Sequence, residues 1–294
     1  MTGAASSEAG GGATSVRILL PDERVQSFAT FYYFVDVVGP LEDFLYPEWG
    51  NVRFSLGGDW WVESREVRRD VPPFGALFGP TDRAMEVVTC DGATAGFGLT
   101  PLGWQRLFDV PADDLANRIV DLAGLLGGSA RALHEAVAAA GSDEARAAIF
   151  DRLLLDRLAD RPPNSDEAIR VDRSLRDRPA DVRAFAAAAG LDERALRRVC
   201  KAVFGFTAKR LLRRQRFLDT LGRVRAVDQV RFVDLMDPAY FDHSHFNHEF
   251  NEFMGLSPKR YLSAPRPLMG QAALVQLQQG IPLSFALPPP PTDA

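Results

Sequence analysis

The chain has 294 residues, 46% of them hydrophobic and 25% charged, with a net charge of −5. That length suggests two domains and that composition is ordinary for a soluble globular protein. No apolar run approaches the roughly 20 residues that cross a bilayer, so no membrane partner is expected. The cysteines, Cys90 and Cys200, stand far apart. That spacing speaks against a disulfide framework or a zinc knuckle and fits a reducing cytoplasm.

Residues 1–15 are Gly, Ala and Ser with little else and lack a basic start followed by an apolar core, so they read as a disordered tail rather than a signal peptide. A first domain is expected over residues 16–160. Within it, residues 16–110 are rich in Val, Phe, Trp and Gly. Thr30–Val38, Asn51–Leu56 and Met85–Thr89 are short runs bounded by Pro, Gly and Asp, the pattern of strands joined by turns. Residues 113–160 change to Ala, Leu, Arg and Asp. Leu115, Ile119, Leu122 and Leu126 share one helical face, as do Ile149, Leu153, Leu154 and Leu158. Dimerisation or packing on the strands would each explain that apolar face. Residues 161–165, which include Pro162 and Pro163, read as a linker.

Residues 166–262 read as helices throughout and hold 19 basic against 14 acidic residues, while the rest of the chain holds 15 against 25. From Arg183 to Arg225 the imbalance is 12 to 3. Such a basic segment on an acidic protein is a footprint for a polyanion, or simply a solvated face. Ala186, Ala187 and Ala189 belong to a short helix ended by Gly190, and Asp192 is placed to cap the next. On that second helix Leu196, Val199, Cys200, Val203 and Phe204 form an apolar face. Arg194, Arg197, Arg198 and Lys201 recur at i, i+3, i+4 and i+7 on the opposite side. Two helices around a glycine turn, the second with a basic outer stripe, have the organisation of a helix-turn-helix. Residues 263–294, with Pro265, Pro267 and Pro288–Pro291, are expected to be extended and mobile.

The stretch Tyr240-Phe241-Asp242-His243-Ser244-His245-Phe246, with Phe246, Phe250 and the closing Gly255-Leu256-Ser257-Pro258, resembles the second helix-turn-helix of the AraC family. Asp192-x-Arg194-x-Leu196-x-Arg198 and Gly205-x-Thr207 fit its first. The resemblance implies two reading units joined by a long helix, 208–222, each entering one of two successive major grooves of double-stranded DNA. It implies base contacts from Arg194, Arg197 and Arg198 in the first unit, with Lys201 beside them. In the second it implies His243, Ser244, Asn247 and His248, with His245 packed against the turn. Lys209, Arg210, Arg213 and Arg214 on the joining helix are expected to meet phosphates. The chain departs from the family at Ala239 for Gly, His243 for Gln, His248 for Arg, Cys200 for Phe and Ala208 for Pro. Residues 226–262 carry three basic and six acidic residues, so the second unit gains little from phosphates. His243, His245 and His248 at i, i+2 and i+5 do not converge on one metal ion, and Cys200 reads as a core residue.

The amino-terminal region is similar to the cupin-like sensor domains of such regulators. The likeness rests on Phe31-Tyr32-Tyr33-Phe34, on Pro47-x-x-Gly50-x-Val52-x-Phe54, on Phe97–Gly103 and on a helix through Leu115–Val120. It implies a barrel closed by the helices after residue 113. No histidine precedes His134, which speaks against a metal-dependent cupin enzyme; no metal or cofactor is expected, nor catalysis. Trp49, Trp60, Trp61 and Trp104 are candidates to line an apolar pocket for a small-molecule effector, or to fill the barrel core. The expected fold class is α+β: a mostly-β cupin-like barrel with trailing helices, then an all-α double helix-turn-helix domain. The expected function is a cytoplasmic, nucleoid-associated transcription regulator, with a homodimer and RNA polymerase as further candidate partners. The competing reading is an interaction protein whose degenerate helix-turn-helix domain docks on another regulator or on RNA polymerase.

Overall fold

The computed structural model describes residues 13–64, 67–225 and 243–282. Short apolar runs separated by turns give ten strands among these residues: β1 (Ala13–Leu19), β2 (Ala29–Val38), β3 (Leu41–Leu45), β4 (Asn51–Gly57), β5 (Trp60–Ser64), β6 (Val67–Asp70), β7 (Ala76–Phe78), β8 (Met85–Thr89), β9 (Gly92–Leu99) and β10 (Ile119–Asp121). The expected runs Thr30–Val38, Asn51–Leu56 and Met85–Thr89 fall in β2, β4 and β8. The strands form two antiparallel sheets, β1-β2-β9-β4-β7-β10 and β3-β8-β5-β6. Along β2 the alternation of side chains sends Tyr33, Val35 and Val37 toward the second sheet, where they meet residues such as Leu41, Leu45, Val62 and Val87. Tyr32 and Phe34 point the other way, into a second core.

That second core lies under helices, so both faces of the larger sheet are covered. Helix α1 (Pro101–Leu107) starts at Thr100, whose hydroxyl accepts the Gly103 N–H at 2.9 Å. After α2 (Ala123–Leu126) and α3 (Ser129–Ala139), α4 (Asp143–Ala159) places Phe150 among Tyr32, Phe34, Phe54 and Phe97. One expectation needs correction here. The helix expected through Leu115–Leu126 is broken at Asn117 (φ 58°), and Ile119–Asp121 becomes β10, with Ile119 opposite Phe78. Asn tolerates that left-handed backbone, and the sheet offers Ile119 and Val120 partners that a helix face does not. Helices α3 and α4 cover the outer face of the larger sheet, and the seam of the barrel is left to a helix near the end of the chain.

Residues 162–165 run without regular structure into α5 (Asp166–Arg176), followed by α6 (Val182–Ala189), α7 (Glu193–Phe204), α8 (Ala208–Arg225), α9 (His243–Met254), α10 (Pro258–Ser263) and α11 (Pro267–Gln278). Helix α11 corrects the expectation of an extended tail: Pro267 sits in its first turn, where a missing N–H costs nothing, and α11 packs along β1 and β3. The rest of the expected tail (283–294), residues 1–12 and the Tyr240–Asp242 opening of the second-unit motif lie outside the described residues. The helical region is not a separate ball. Phe217, Leu221, Phe250, Phe253 and Tyr261 share one core with barrel residues Val35, Leu45 and Phe78. The first helix-turn-helix packs around Trp49.

Candidate nucleic-acid interface

The first unit is built by local signals. Gly190 (φ 62°) ends α6, and the N–H groups of Gly190 and Leu191 return to the carbonyls of Ala187 and Ala186. Asp192 then accepts the Ala195 N–H at 2.7 Å and opens α7. Leu196, Val199, Cys200, Val203 and Phe204 are buried, and burial pushes the Cys200 thiol up to about 12. Arg194, Arg197, Arg198 and Lys201 are exposed. Arg194 and Arg197 have no hydrogen bond or ion pair among the described residues. Arg198 pairs with Glu167 at 2.6 Å, and Lys201 reaches Asp113 at 3.4 Å.

The four cations of α8 expected to meet phosphates have separate fates. Lys209 is exposed. Arg210 pairs with Asp82 of the barrel at 2.8 Å and with Glu252 of α9, over the ring of Phe253. Arg213 pairs with Glu249 at 2.7 Å and with Glu252. Arg214 is 0% exposed: its Nε donates to the Thr81 carbonyl at 2.9 Å, and its guanidinium lies 3.9 Å from the Trp49 ring. Burial pulls its pKa down to about 9 against the attraction of Asp82 and Glu48, so it remains charged at neutral pH but has no path to a phosphate. The sequence did hold this signal: Arg214 stands three residues after Leu211 and four before Leu218, on the buried face.

In α9, Phe246, Phe250 and Phe253 are buried while Ser244, Asn247 and His248 are exposed. His245 is exposed as well, and the turn it is expected to pack against lies outside the described residues. The side chain of His243 and the turn before it lie outside the described residues.

Between the two sheets lies a cavity of about 100 Å³, walled by apolar side chains including Val16, Ile18, Leu45, Trp60, Phe78 and Met269. One side is polar. Tyr33 donates its hydroxyl to Asn51 at 2.6 Å, and Arg53 pairs with Glu48 and lies 4.1 Å from the Phe78 ring. Burial raises the Glu48 carboxyl despite the attraction of Arg53 and Arg214. Of the four tryptophans, Trp60 faces this cavity. Trp61, its neighbour on the strand, points outward beneath Arg68; Trp104 is buried beside Phe108; Trp49 packs on Phe204. Sequence reasoning missed Tyr33, Glu48, Asn51 and Arg53. On β4 the polar set Asn51, Arg53 and Ser55 alternates with Val52 and Phe54, a pattern that ordinarily marks a solvent face.

Residues 185–264 match the family model described as a helix-turn-helix domain. No curated protein matches the chain. Among solved structures, the chain is similar to ToxT from Vibrio cholerae, with 10% identity, 85% of this chain and 97% of that one covered, and a TM-score of 0.44. It is similar to the AraC-like transcriptional activator CuxR at 17% identity, covering 69% and 85%, with a TM-score of 0.28. It is also similar to the cupin domain of an XRE-family transcriptional regulator from Enterobacter cloacae at 13% identity, covering 29% and 94%, with a TM-score of 0.25. A DNA-binding domain of the AraC type therefore occupies residues 185–264, and the chain that carries it is a transcription regulator.

Proposed function

We propose that the protein reads its operator chiefly through α7, with α9 adding weaker contacts, and that a small amphipathic acid in the barrel modulates this binding. The observation that carries the first part is the free, outward pair Arg194 and Arg197, with Arg198 held only by an exposed ion pair. An arginine in the major groove can fork onto guanine O6 and N7. Lys201 and Lys209 meet phosphates, whereas Arg210, Arg213 and Arg214 hold α8 to α9 and to the barrel. Ser244, Asn247 and His248 donate and accept hydrogen bonds at base edges. The same reading makes the protein a cytoplasmic regulator, found on the nucleoid when bound, with no catalytic role.

The effector class follows from the cavity. Apolar walls favour a hydrocarbon body, and Arg53 offers the one cation that lines the cavity among the described residues. Titration with random genomic fragments, followed by sequencing of those retained, tests the DNA reading. A shared motif is expected; fragments retained without any motif would overturn it and favour docking on another protein.

A further inference from the structure

Helix α11 follows the DNA-binding region and turns back to the barrel. It lies along β1 and β3, the edge strands of the two sheets, and so covers the seam between them. Leu268, Met269, Ala272 and Gln276 form one wall of the cavity. The seat is specific. Asp43 on β3 is 1% exposed, and its carboxylate accepts the N–H groups of Leu268 and Met269 at 2.8 Å each. Those are two of the four donors that a helix start leaves without partners. At the other end Gln279 donates to the Ile18 carbonyl at 3.0 Å. Tyr46 of the barrel meets Tyr261 of α10, hydroxyl to hydroxyl, at 2.8 Å.

We propose that α11 is a ligand-gated latch: a molecule filling the cavity lifts α11 from Asp43 and, through α10, repositions the second DNA-reading helix. The proposal rests on the cavity being the effector site. A cavity of about 100 Å³ is smaller than the ~300–1,000 Å³ usual for ligand pockets, so an occupant needs a wall that yields. The strand walls are fixed by continuous ladders of hydrogen bonds. Helix α11 is fixed by a few side chains and caps, and its outer face is open, with Leu274 53% and Leu277 50% exposed. Residues 264–266 separate α11 from α10, too short a connection for one to move freely of the other.

Hydrogen exchange on the full chain, with decanoate as the probe and Trp60 fluorescence as the binding readout, tests this. Saturating decanoate should speed exchange of the amides of α11 about tenfold while β2 and β9 stay protected. Asp43→Ala should produce the same α11 exchange without decanoate and bind decanoate about tenfold more tightly, since two hydrogen bonds to a charged group no longer oppose opening. Decanoate binding with α11 exchange unchanged would overturn the latch and leave the effector reading standing. No decanoate binding to either protein would overturn both. Trp60→Phe keeps the fold and removes the fluorescence signal, which locates the bound probe.

Discussion

Arg210, Arg213 and Arg214 lie within two turns of α8, and only their positions on the helix decide what each can do. Arg214 faces inward with Leu211 and Leu218, so its charge serves the junction of the domains. Arg214→Ala should leave the Thr81 carbonyl without its donor and strip Trp49 of its stacked cation, while Glu48 keeps Arg53 and Asp82 keeps Arg210. A loss of about 2 kcal/mol or more in urea unfolding is expected, from the desolvated cation–π contact and the hydrogen bond lost to the Thr81 carbonyl. Arg197→Ala should leave the urea midpoint unchanged and reduce specific operator binding by about 1–3 kcal/mol, read by fluorescence anisotropy. Equal losses for operator and random DNA would instead make Arg197 a phosphate contact. At this scale the sequence was legible wherever helical period alone decides exposure, as for Arg194, Arg197 and the Phe residues of α9. It was illegible where two neighbours in a strand part company, as Trp60 and Trp61 do. It was illegible again at Asn51 and Arg53, where a polar face is buried because the sheet is covered on both sides.

The elements that cap themselves were read correctly, and those that depend on distant partners were not. Gly190 and Asp192 mark the turn of the first unit in the sequence as plainly as in the structure. Helix α11 carried its own signal, Pro267 in the first turn followed by Leu268, Ala272 and Val275 at helical spacing, but the surrounding prolines argued for an extended tail. What stabilises α11 is Asp43, over two hundred residues earlier, which no local pattern reveals. Ending the chain after residue 265 should therefore lower the melting temperature. Burying Leu268 and Met269 is worth about 1.5–3 kcal/mol each. An unchanged melting curve would mean that α11 is not seated in solution. The turn after α7 is tied to the barrel as well. Gly205 has φ 83°, and a Cβ there would stand 2.6 Å from Pro80 Cγ. Gly205→Ala should cost more than the ~1–2 kcal/mol of left-handed backbone alone, because the barrel must also give way. A cost within that range would show that Pro80 yields freely.

Across the whole molecule the barrel holds the DNA-binding region as a jaw holds a tool. Asp113 takes Lys201, Asp82 takes Arg210, and the Ala84 N–H donates to the Phe253 carbonyl at 2.6 Å. The acidic barrel thereby occupies cations on the basic region, and on the proposed reading DNA competes with it for Lys201. Burial disfavours the Asp82 carboxylate, but Arg210 and Arg83 outweigh that and hold its pKa below the usual range. A depressed carboxyl pKa contributes stability above its unfolded value and loses it as pH falls through the folded value. This clamp therefore persists at neutral pH and opens only below about pH 4. Removing the charge by mutation tests it under physiological conditions. Asp113→Asn frees Lys201 with little effect on the fold, since an exposed pair of this kind is worth about 0–1 kcal/mol. Affinity should rise a few-fold for operator and random DNA alike, because a phosphate contact carries no sequence information. The slope of log affinity against log salt should steepen by about 0.9 for the one phosphate gained. Asp82→Asn should raise affinity less, because Glu252 still holds Arg210, and should lower stability by loosening the junction. Measured between 50 and 200 mM salt, as a ~fourfold range that resolves one counterion, an Asp113→Asn slope equal to that of the wild type would show that Lys201 does not reach the backbone and that the acidic barrel does not restrain DNA binding through it.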